Sequence, residues 1–115
     1  MRETKKMDPS NHGVLVLKDI LEGLGRFEAD DIVYVSVGAA VDADTPILVV
    51  SYMESKNGPP EGMRYLLETG VMREVLQGTT EQVGGALSLG QQVLAIVHYA
   101  EHDAYVDAAS LARTG

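Results

Sequence analysis

The chain has 115 residues, nine Lys and Arg against 17 Asp and Glu, and neither Cys nor Trp. The length fits one domain, and an apolar fraction of 45% is that of a folded protein rather than a disordered one. A net charge of -8 sets the surface against nucleic-acid phosphates, and zero Cys excludes a disulfide framework, a thiolate zinc site and a cysteine nucleophile.

Apolar runs reach only four or five residues, as in Val14–Leu17 and Ile47–Val50, far short of the roughly 20 a membrane-spanning helix needs. Met1–Lys6 is charged like the start of a secretion signal. Polar residues Asp8 to His12 then stand where an apolar stretch belongs. These features predict a cytoplasmic protein with no membrane partner.

Residues 1–13 read as a polar arm. From Val14 to Phe27 the positions Leu17, Ile20, Leu21 and Leu24 follow helical spacing, with Gly25 as the stop. Val14 and Val16 are β-branched, which suits a short strand leading into that helix. Ile32–Val37 and Ile47–Met53 are β-branched and apolar, and predict two strands of an antiparallel hairpin. Both are apolar on both faces, and an isolated hairpin is marginal in water. The pattern therefore predicts either a third short strand near Val14–Val16 or a homodimer that completes the sheet.

Asn57-Gly58-Pro59-Pro60 breaks the chain. Met63, Leu66, Leu67, Val71 and Val75 then predict a helix from Glu61 to Leu76, closed by Gly78. Thr79 and Gln82 have capping-box spacing ahead of a second helix, expected to run to Ala104. Gly84, Gly85 and Gly90 interrupt it at up to about 1 kcal/mol each relative to Ala. A tail is expected over 107–115. The expected fold is α+β, a single domain over 14–106, ordered helix, strand, strand, helix, helix.

Two constellations carry candidate chemistry. His98-Tyr99-Ala100-Glu101-His102 is an H-x-x-E-H pattern, whose histidines share one helix face and can reach one metal ion. A catalytic zinc needs a third protein ligand, and none is evident, so a charged helix end is the plainer reading. The rival functional reading is a metal- or small-ligand-binding protein or small enzyme built on His98, Glu101 and His102. Ser88 lacks the G-x-S-x-G spacing of a hydrolase nucleophile. No motif calls for a cofactor.

The second constellation is charge. Residues 19–54 hold eight acids and a single base, Arg26. Asp30, Asp31, Asp42 and Asp44, with Glu28 nearby, predict a negative face for a basic protein partner. Tyr34 and Tyr52, placed on the two strands, are the expected anchors.

Three segments carry a resemblance. Asp31-Ile32-Val33-Tyr34, Gly62-Met63-Arg64-Tyr65-Leu66-Leu67-Glu68 and Tyr99-Ala100-Glu101-His102-Asp103-Ala104-Tyr105 resemble parts of a family of small uncharacterised bacterial α+β proteins. Those proteins also open on a leucine-rich helix like Leu17–Leu24. The resemblance spans roughly residues 14–106 and implies a bacterial α+β fold with no assigned activity. Some small acidic proteins of that general kind look like immunity partners of toxins.

Overall fold

The computed structural model describes residues 15–114. The expected N-terminal arm lies outside the described residues. The elements in order are α1 (Leu17–Glu22), β1 (Ile32–Ser36), β2 (Ile47–Val50), α2 (Tyr52–Ser55), β3 (Met63–Glu68), α3 (Thr69–Val83), α4 (Leu89–His102) and α5 (Ala108–Thr114). This is an α+β fold with an antiparallel sheet of order β2-β1-β3.

Helix α1 starts where the Asp19 carboxylate accepts the Val16 N–H at 2.9 Å. It ends at Gly23, earlier than the expected stop at Gly25, and a short 3-10 turn covers Leu24–Arg26. Val16 bridges Pro46 of the β1–β2 loop. Ile47 N–H donates to the Leu15 carbonyl and Leu17 N–H to that of Thr45, both at 3.0 Å. The chain thus enters α1 alongside the start of β2, where the short strand was expected, but the contact stays a single bridge.

The hairpin pairs Val33 with Val49 and Val35 with Ile47. Strand β2 stops at Val50 rather than Met53. There the Ser51 side chain accepts the Glu54 N–H at 3.3 Å and opens α2. Tyr52 is therefore helical and does not pair with Tyr34. Tyr34 lies opposite Leu48 on one side and Tyr65 on the other.

The third strand is β3, inside the segment expected as a helix from Glu61 to Leu76. Its register against β1 shifts between Val33 and Tyr34. Val33 faces Leu67, Tyr34 faces Tyr65, and Leu66 is the extra residue of a bulge. Cross-strand partners share a sheet face. Val33, Val35, Ile47 and Leu67 accordingly line one face, and the bulge adds Leu66 to it. That face meets Leu17 and Ile20 of α1, Leu24 of the 3-10 turn after it, Met72 and Val75 of α3, and Ala95 and Ile96 of α4.

The long helix expected from Thr79 to Ala104 is two helices. Thr79 sits fully buried inside α3, its hydroxyl donating to the Val75 carbonyl at 2.7 Å. Helix α3 runs through Gly78 and ends at Gly84, whose φ of 85° is the left-handed conformation glycine adopts without strain. The capping box of the next helix belongs to Ser88 and Gln91. Residues 108–114, expected within a tail, form α5. Its Leu111 is 1% exposed and belongs to the same core.

Candidate functional site

The chain between α1 and β1 makes a tight acidic turn. Asp31 N–H donates to the Glu28 carbonyl at 3.0 Å. In return Glu28 N–H donates to the Asp31 carboxylate at 3.1 Å. The first residues of α3 lock this turn from the inside. Thr69 N–H donates to the Asp31 carbonyl at 2.9 Å and Gly70 N–H to the Ala29 carbonyl at 2.8 Å. The buried Thr69 hydroxyl donates to the Glu28 carbonyl. Arg73 adds guanidinium bonds to the carbonyls of Leu24, at 2.7 Å, and Phe27, at 3.3 Å.

A helix start leaves N–H groups without helical partners. Here they take the carbonyls of the turn, while Glu28 and Asp30 remain exposed and Asp31 half-buried. The positive end of α3 also favours the nearby carboxylates. Burial is the largest influence on Asp31 and pushes its carboxyl above the usual range. The charges of Asp30 and Glu28 add to that rise, and the bond from Glu28 N–H opposes it.

Sheet register extends the acidic surface. Ile32 sits between Val50 and Glu68, so β2 and β3 both end beside the turn. Just past Val50, exposed Tyr52, Met53 and Glu54 occupy α2, with the Lys56 ammonium 5.3 Å from the Tyr52 ring centre. The end of the sheet at which the turn lies is thus also where β3 ends at Glu68 and where β2 leads into Tyr52, Met53 and Glu54.

The expected negative face is divided in the structure. Asp42 and Asp44 lie in the β1–β2 loop, at the opposite end of β1 from Asp30 and Asp31. The Asp42 carboxylate accepts the Asp44 N–H at 2.9 Å and the Thr45 hydroxyl at 3.2 Å, a local turn. Tyr34, the other expected anchor, is 3% exposed and presents no surface to a partner. Sequence reasoning passed over Glu54, Glu68 and Met53, and also the Thr69-Gly70 pair that holds the turn. Two small residues between Leu66-Leu67 and Val71-Met72 were the available signal.

His98, Glu101 and His102 all lie in the last turns of α4. The histidine ring centres are 4.5 Å apart, tilted by 46°. His98 Nδ1 is 2.9 Å from the Ala104 carbonyl, and Glu101 Oε1 is 3.9 Å from His102 Nε2. Among the described residues no group of three or more His, Cys, Asp or Glu side chains is arranged to hold a metal ion. Ser88 accepts the Gln91 N–H at 3.1 Å as the cap of α4.

No family model matches the chain, and no match is found among curated proteins or solved structures. Among the described residues no helix is long and apolar enough to cross a membrane.

Proposed function

We propose that the protein is a non-enzymatic interaction module whose acidic turn docks a basic protein partner. One observation carries this reading. Glu28, Asp30 and Asp31 sit on a turn whose carbonyls are fixed by the start of α3, at the end of the sheet where β2 leads into exposed Tyr52 and Met53. A fixed cluster of like charge steers an oppositely charged partner and makes association salt-sensitive. An exposed tyrosine supplies anchoring area at low entropic cost, and a methionine adapts to the shape it meets. The same charge disfavours nucleic-acid phosphates. An immunity-type inhibitor of a basic toxin fits this chemistry, in keeping with the resemblance to small bacterial α+β proteins.

The test is affinity capture from the source cell lysate at low and high salt, with two charge-reversed variants. Glu28→Lys with Asp30→Lys should abolish capture of a basic protein that wild type retains at low salt. Asp42→Lys with Asp44→Lys should leave capture intact. Equal capture by both variants, or no salt-sensitive basic protein with wild type, overturns the reading.

A further inference from the structure

We infer that the C-terminal end of α4 binds a divalent transition-metal ion, of which Zn2+ is the type, between His98 and His102. This site is independent of the acidic turn. Histidines at i and i+4 rise from one helix face, and these rings stand 4.5 Å apart between centres. That spacing lets both nitrogens approach one ion at the roughly 2.0–2.1 Å of a zinc–imidazole bond.

The tautomer of His98 is set by its neighbour. A carbonyl oxygen only accepts, so Nδ1, at 2.9 Å from the Ala104 carbonyl, carries the proton. In the neutral ring Nε2 then holds the free lone pair. Metal-binding histidines characteristically donate their second nitrogen to a carbonyl or carboxylate, which fixes the ring and raises its basicity. The Ala104 carbonyl reaches His98 because Asp103, with φ 54° and ψ 38°, turns the chain back at the end of the helix. On the second ring, Nε2 of His102 lies 3.9 Å from Glu101 Oε1, too far for a hydrogen bond.

The electrostatics favour a cation. The carbonyl end of a helix is its negative pole. Glu101 and Asp103 are exposed beside the pair. With two protein ligands, water fills the remaining positions. The site is therefore a chelate on the helix surface and lacks the three-ligand set of a hydrolytic zinc.

The experiment titrates the full chain with ZnCl2, followed by calorimetry and by NMR of the histidine rings. The expected result is saturation at one ion per chain, with the His98 and His102 ring signals moving and those of His12 unmoved. Loss of a group that merely orients a ligand weakens metal affinity about 10- to 100-fold. His98→Gln and His102→Gln remove ligands themselves, so each should weaken binding at least about tenfold. His12→Gln should bind as wild type, and circular dichroism should show the helices intact in all three. Absence of saturable binding, loss of binding in His12→Gln, or wild-type affinity in both ligand variants overturns the inference.

Discussion

Gly70 donates its N–H to the Ala29 carbonyl at 2.8 Å, and a Cβ on Gly70 would stand 2.7 Å from that same oxygen. The start of α3 can hold the acidic turn this closely only while residue 70 has no side chain. Gly70→Ala should cost about 1–3 kcal/mol, the range of an overpacked contact that backbone cannot relieve. Gly78→Ala makes the useful contrast. Its Cβ would meet the far end of the 44% exposed Tyr105 side chain. That side chain is tied by a 3.3 Å bond to the Glu74 carbonyl and an edge-on contact with Tyr99, and yields more cheaply than backbone. Urea denaturation of the two variants should show the larger loss at Gly70, and the reverse order would contradict this account.

Thr69→Val keeps the shape of a buried side chain and deletes its hydroxyl. The Glu28 carbonyl then loses a partner supplied across 41 positions of sequence. That carbonyl keeps the Asp31 N–H as a partner, so the expected cost is that of one hydrogen bond, about 0.5–1.5 kcal/mol. Amide exchange should also quicken at Asp30 and Asp31 if the turn depends on this bond. Unchanged exchange there would show that Gly70 and Arg73 hold the turn without it.

Leu111→Ala should destabilise the whole molecule by about 2–5 kcal/mol, as for other fully buried leucines. Helix α5 is also tied by Gln91, whose side-chain amide donates to the Leu111 carbonyl at 3.1 Å. A cost well under 1 kcal/mol would mean that α5 detaches on its own.

Two carboxyls should respond to pH in opposite senses. Asp31 titrates above its usual 3.8 in the folded chain, chiefly because it is buried. Between 3.8 and that raised value the folded state holds the extra proton, so Asp31's contribution to stability declines as pH rises. Asp107 accepts the Ser110 N–H at 2.7 Å, which holds its carboxyl below 3.8. Its contribution is present above 3.8 and is lost as pH falls through the lower folded value. Carbon-detected NMR titration should place the Asp31 midpoint above that of Asp107. Asp31→Asn should remove its share of the slope.

The α+β class and the β1–β2 pairing were legible because β-branched runs flanked by acidic and glycine-rich turns have few other readings. β3 was not. Met63, Leu66 and Leu67 recur at i, i+3 and i+4, the signature of a helix. In the strand the bulge sends Leu66 and Leu67 to one face while Met63, paired with Ser36, lies on the other, so the helical spacing marks no single face. Thr79-x-x-Gln82 and Ser88-x-x-Gln91 are equally good capping boxes in sequence. Only the left-handed turn at Gly84 places the helix start at the second. The acidic character of Asp30 and Asp31 could be read directly. Their separation from Asp42 and Asp44 was legible too, since the predicted strand Ile32–Val37 stands between the two pairs, and the expectation of a single face passed over it.

The bulge in β3 also makes the strand a counter of odd and even. Deleting one of its two adjacent leucines would restore plain alternation and leave the cross-strand partners in place, because Val33 already faces Leu67 and Tyr34 already faces Tyr65. The Tyr65 ring would stay on the face of Tyr34, and the core would lose one leucine rather than its register. Over evolutionary time this strand should therefore tolerate a change of length at the leucine pair and resist one elsewhere, where a one-residue slip turns side chains to the wrong face.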